Sequence, residues 1–206
     1  MGEMKVSDLF SEEMEPALNN WIKRFTSLAD LFAAIPQLYA KLQSQYIRGT
    51  VEDGVVIDGP VHIGVGSVVR SHAIVRGPSI VGNNTVVGSH AEIQSGCFIG
   101  SECVIGNSCL IIESMLMNGT IVRPFAFIRN SVIGFGSFIG SGAVLGTEKV
   151  QLLTGRSGRS CGLGVVVGDH ASIGANSIVK PGTIIAYRTS TGGGQKVLTR
   201  ATKRPQ

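Results

Sequence analysis

Every sixth residue from Val51 onward is aliphatic or methionine. Val51, Ile57, Ile63, Val69, Val75, Val81, Val87, Ile93, Ile99, Ile105, Ile111 and Met117 fall in one register. After two one-residue contractions the series continues through Val122, Ile128, Ile133, Ile139 and Leu145, and after an interruption through Val167, Ile173, Val179 and Ile185. A repeat of fixed length constrains a chain more than any composition, because such repeats build stacked architectures. The slots between are also ordered. The residue after the lead is glycine in ten of the 21 units, which suits the backbone of a sharp corner. Four residues after the lead stands Ala, Ser, Thr, Cys or Val in 18 units. On an extended segment that slot and the next lead are two apart and face the same side, while the slots three and five after the lead face out. Each unit is therefore a short strand and a corner, and three units close a triangular coil. Coils stack through strand hydrogen bonds, so about seven of them at about 4.8 Å each give a prism of roughly 34 Å. The expected class is an all-β solenoid.

Cys97, Cys103 and Cys109 recur at this same spacing. They occupy the small slot on three successive walls, where Ser67, Ala73, Ser79, Thr85 and Ala91 stand elsewhere, and so read as small interior side chains. Structural zinc sites use four ligands with paired C-x(2–4)-C spacing, which these cysteines lack, so no metal is expected. With 28 glycines, 43% hydrophobic and 16% charged residues, the composition matches a turn-dense β fold.

Three regions follow. Residues 1–48 are expected to form a helical cap on the solenoid, with Leu18, Trp21, Ile22, Phe25, Leu28, Leu31 and Phe32 on one helical face. Residues 49–187 form the solenoid, interrupted by an insertion at 147–164. Residues 188–206 hold five basic side chains and no acid, and read as a disordered tail; without those five the remaining chain carries about one net negative charge. A basic tail with a GGG linker and no periodicity gives little reason to expect nucleic-acid binding. No apolar run approaches the length of a membrane span. The acidic N-terminus lacks a signal-peptide core, so a cytoplasmic location and reduced cysteines are expected.

The tandem [LIV]-G-x-x-[small]-x pattern resembles the hexapeptide-repeat transferases, whose fold is a left-handed parallel β-helix. HAIVRGPSIVG (72–82), MNGTIVRPFAFIRNSVIGFGSFIGSGAVLG (117–146) and GLGVVVGDHASIGANSIVKPGTI (162–184) are similar to the C-terminal domain of sugar-1-phosphate nucleotidylyltransferases and of glucosamine-1-phosphate acetyltransferases. The resemblance implies a homotrimer, with acetyl-CoA as co-substrate in a groove between subunits and a sugar phosphate or nucleotide sugar as acceptor. The amino-sugar site of those relatives is not reproduced. Pro124 stands where they place the catalytic histidine, Phe127 at their tyrosine and Asn130 at their aspartate. Gln94 and Ile112 stand where their phosphate-holding basic pair falls, although Arg76 is one member of that pair under a shifted alignment.

Replacement candidates remain. His72 and His90 share the slot three after the lead and lie 18 apart, so they should stack in successive coils, and histidine suits general-base work. His170 shares the slot, but the interruption hides its wall. Arg156 and Arg159, in the insertion, and Lys180 are candidates for phosphate contacts beside Arg76. Two functions stay open on this reading: an acetyl-CoA-dependent transferase acting on a sugar or nucleotide sugar, and a non-catalytic trimeric sugar-phosphate-binding or scaffold module.

Overall fold

The computed structural model describes residues 42–146, 150–153 and 160–197, and the side chains of all of these except 150–153, 160–163 and 197. The helical cap expected over 1–48 falls outside these residues up to position 41. From Tyr46 the chain winds into three parallel sheets. Wall one stacks Tyr46–Ile47, Val61–Ile63, Ser79–Val81, Cys97–Ile99, Met115–Leu116, Val132–Ile133, Val166–Val167 and Ile184–Ile185. Wall two stacks Thr50–Val51, Val68–Val69, Val86–Val87, Val104–Ile105, Ile121–Val122, Phe138–Ile139 and Ser172–Ile173. Wall three runs from Val56–Asp58 through Ile74–Arg76, Glu92–Ile93, Leu110–Ile112, Phe127–Arg129, Val144–Leu145 and Ile178–Val179 to Lys196–Val197. The fold is a left-handed parallel β-helix of about seven coils.

The six-residue leads line the interior. Val69, Val75, Val87, Ile93, Ile99, Ile111 and Val122 are fully buried, each contributing on the order of 1.5–3 kcal/mol of burial. The small slot does more than fill space. Ser67 Oγ donates to the Gly82 carbonyl at 2.6 Å, and Thr85 Oγ1 to the Gly100 carbonyl at 2.8 Å. Cys103 Sγ donates to the Met117 carbonyl at 3.1 Å and Cys109 Sγ to the Arg123 carbonyl at 3.2 Å. Serine, threonine and cysteine are thus interchangeable donors that satisfy corner carbonyls of the coil above, which a purely apolar reading of the cysteines misses.

Two sequence expectations are corrected. The register does not run through Met117: Ile99 pairs with Leu116 and Ile105 with Val122, so the first contraction lies between Ile111 and Leu116. Glu113, at φ 45°, turns that corner with one residue fewer and advances the phase. Leu116 and Met117 are both apolar and both fully buried, so hydrophobicity alone could not locate the step. Second, the slot three after the lead is the left-handed tip of a corner, not an outward position on a flat wall; His72 (φ 61°) and His90 (φ 57°) adopt it.

The insertion is rooted at Gly146 and Gly164 and carries an antiparallel hairpin, Val150–Leu153 against Ser160–Leu163. Gly146 has φ 75°, and a side chain there would collide with the Arg129 carbonyl oxygen. Solenoid pairing also continues beyond the expected boundary at 187, since Lys196–Val197 pairs with Ile178–Val179. No helix among the described residues is long and apolar enough to cross a membrane.

Candidate functional site

Three corners separate the walls, and the candidate residues divide among them. The corner after wall two carries a column of left-handed residues one per coil: Gly54, His72, His90, Ser108, Phe125, Gly142, Asn176 and Gly194. Their amides donate to the coil below, as in His90 to the Ser71 carbonyl at 3.3 Å and Phe125 to the Asn107 carbonyl at 3.0 Å. The expected pair therefore forms. The imidazoles of His72 and His90 lie with ring centroids 5.1 Å apart and planes inclined by 14°, both exposed. Beneath them the His72 ring lies over Gly54, where a Cβ would stand 3.0 Å from its Cδ2.

Pro124 and Phe125 lie on this same edge, two coils above His90, roughly 10 Å away by the strand spacing. Phe125 is 69% exposed. The edge that carries Pro124 and Phe125 thus holds two exposed histidines lower down. Among the described residues no hydrogen bond reaches either imidazole.

His170 does not join them. It occupies the corner after wall one, in the column of Gly66, Asn84, Glu102, Gly119, Gly136 and Arg188. There it meets the edges of Phe135 and Tyr187, with centroids 5.4 and 6.1 Å away. Cys97 and Cys103 are equally remote from chemistry: burial pushes both thiols up to about 12, far from the thiolate that a nucleophile or metal ligand requires.

Two of the basic candidates, Arg76 and Lys180, share the corner after wall three but lie five coils apart. Asp58 and Arg76 are register partners there, and Ile112 and Arg129 are partners higher up. Arg76 is engaged by the Glu92 carboxylate, which also accepts from Gln94 Nε2 at 2.7 Å. Lys180 is exposed on the same edge near the root of the insertion. Arg156 and Arg159 lie outside the described residues. Arg129 was not singled out from the sequence. The signal was available: it sits one coil above Ile112, one of the two positions at which the resemblance leads one to expect a basic side chain.

Near the base of the corner after wall two, Glu52 accepts from the Ser71 hydroxyl (2.8 Å) and amide (2.9 Å) and from Arg70 Nη1 (2.8 Å). These bonds, the Ser71 hydroxyl first, hold its carboxyl below the usual carboxylate range. Among the described residues no cluster of three His, Cys, Asp or Glu side chains could hold a metal ion.

Comparison with known proteins places this geometry. The family model described as the GMPPB C-terminal domain matches residues 75–189, more than half of the chain. Among solved structures, UDP-N-acetylglucosamine O-acyltransferase (LpxA) from Moraxella catarrhalis RH4 is 15% identical, covers 68% of this chain and 64% of its own, with TM-score 0.43. LpxA from Acinetobacter baumannii is 16% identical over 74% of this chain and 71% of its own, with TM-score 0.42. A putative acetyltransferase from Bacillus cereus is 15% identical over 75% of each chain, with TM-score 0.26. This chain therefore spans less than two thirds of the Moraxella enzyme. No curated protein matches.

Proposed function

This chain belongs to the GMPPB C-terminal domain family, and on that premise we propose that it is an acetyl-CoA-dependent transferase acting on a sugar phosphate or nucleotide sugar. The observation that carries the reading is the exposed His72–His90 stack on the edge it shares with Pro124 and Phe125. In this reading His90, the nearer of the two, accepts the proton of the acceptor's attacking hydroxyl or amine as that group adds to the thioester carbonyl. It returns the proton to the departing thiolate when the tetrahedral intermediate collapses. Lys180, with Arg156 and Arg159 of the insertion, contacts phosphate groups of donor or acceptor.

A homotrimer supports the same site. Wall two presents outward an unbroken ladder of Val68, Val86, Val104, Ile121 and Phe138 in adjacent coils. Val104, Ile121 and Phe138 remain 42, 38 and 39% exposed. The outward side chains of wall one at Met115, Val132 and Val166 are, by contrast, buried. Copies meeting along wall two would bring a partner surface beside the corner that carries the histidines, and an apolar patch of this kind marks an interaction site.

One observation favours a second reading, a trimeric binding module without turnover: Pro124 cannot move a proton, and among the described residues no hydrogen bond orients His72 or His90. A single assay separates the two. Thiol release from acetyl-CoA is measured over a panel of sugar phosphates and nucleotide sugars with the wild type, His72→Asn and His90→Asn. Asparagine tolerates the left-handed backbone at both positions, so a lost rate does not reflect a broken corner. The transferase reading expects release with at least one acceptor and a fall of about 100-fold in His90→Asn. Release absent from the whole panel selects the module, and rates unchanged in both variants exclude these histidines as the base.

A further inference from the structure

Among the described residues, two buried side-chain polar atoms have no hydrogen-bond partner: Nε of Arg129 and Oγ1 of Thr183. Thr183 is 2% exposed and faces the core. Arg129 differs in kind. It is only half-buried, at the end of the wall-three strand Phe127–Arg129, with its Nε shut off from water. A guanidinium always carries its charge, and leaving one of its donors dry and unpaired is unfavourable unless something else supplies the acceptor. The two carboxylates that the described arginines engage are Glu52 and Glu92, held by Arg70 and Arg76 lower in the solenoid.

Arg129 shares its edge with a second cation. Ile128 pairs with Leu145 and Leu145 with Val179, so the next residues, Arg129, Gly146 and Lys180, lie one above another on the same edge. Gly146 has no side chain, and its backbone allows none. Between Arg129 and Lys180 this column therefore contributes only the backbone of Gly146, over two coils or roughly 10 Å. Flexible side chains projecting from both sides can converge across such a distance on one multivalent oxyanion. This stretch is also where the insertion leaves and rejoins the prism, since Gly164 donates to the Asn130 carbonyl at 2.8 Å and accepts from the Gly182 amide at 2.7 Å.

We propose that Arg129 and Lys180 form an oxyanion-binding site at the root of the insertion, selective for a phosphate monoester or diphosphate. Arg129 supplies directed N–H donors and Lys180 a mobile point charge. The site deepens the transferase reading by adding a phosphate contact to it, but its binding of a phosphate group does not require that any acyl transfer occur.

Pyrophosphate is the probe, titrated calorimetrically into the full chain in the absence of any acyl donor, so an inactive enzyme does not obscure the result. The wild type should bind it saturably. Arg129→Met should weaken binding at least about tenfold, the loss expected for charge-assisted hydrogen bonds. Lys180→Gln, an exposed change that leaves the fold alone, should weaken it at least threefold. The ligand-free melting temperature of Arg129→Met should equal or exceed that of the wild type, because an unsatisfied charge has been removed; a merely structural arginine would lower it. The proposal is overturned if the wild type shows no saturable heat, if both variants bind as the wild type does, or if ligand-free Arg129→Met melts well below it.

Discussion

Cys97 lies directly above Ser79 in wall one, and its amide donates to the Ser79 hydroxyl at 3.4 Å. The two residues occupy one slot in successive coils, and both side chains reach carbonyls of their own surroundings: Ser79 Oγ that of Arg76 at 2.6 Å, Cys97 Sγ that of Ile111 at 3.5 Å. Cys97→Ser should therefore change stability by less than about 1.5 kcal/mol, whereas Cys97→Leu should cost about 1–3 kcal/mol by overpacking. Denaturant titration of the two variants measures the difference. Because burial drives the thiol to about 12, alkylation of Cys97 and Cys103 at pH 8, followed by mass spectrometry, should proceed only as fast as the chain opens.

Glu52 gives the base of the prism a pH dependence. Its carboxyl is held below the usual range in the folded state by Ser71 and Arg70. The folded chain thus favours the ionised form. The resulting stabilisation is complete above the ordinary carboxylate range and is lost as pH falls through the lowered folded value. Melting curves of wild type and Glu52→Gln should converge in acid and separate near neutrality, the wild type being the more stable there. A constant separation at all pH values would remove Glu52 as the source.

The outward ladder of wall two predicts self-association through apolar contact. Phe138→Asp places a charge at the upper part of the stripe without touching the buried lead Ile139. Sedimentation should show the wild type as a trimer and Phe138→Asp as a single folded chain with unchanged circular dichroism. A trimer that survives the substitution would move the interface to another wall.

Gly146 should resist substitution. Gly146→Ala forces a side chain onto a left-handed backbone and against the Arg129 carbonyl, so a loss of about 1–3 kcal/mol is expected in denaturant titration.

How much of this was legible beforehand differs between core and site. The period exposed the walls because each lead residue answers to one force, burial, and repeats it without exception from Ile63 upward. The histidine stack was legible for the same reason, since positions 18 apart share an edge. The Leu116 step was hidden because either of two adjacent apolar residues satisfies burial. Arg129 was hidden for a different reason: what distinguishes it is the absence of a partner, which depends on the three-dimensional surroundings of its guanidinium. Arg76 shows the converse. Its charge made it a phosphate candidate, and only the fold reveals that Glu92 has taken it up.

Acetyl-CoA binding is the most direct test of the functional account, because a transferase and an acyl-donor site stand or fall together. Calorimetric titration of the assembled wild-type protein with acetyl-CoA should give saturable binding at one molecule per chain, with a rise in melting temperature as the folded state is drawn off by ligand. A flat titration at millimolar acetyl-CoA, with an unmoved melting temperature, would contradict the account and leave this β-helix as a binding or scaffold module.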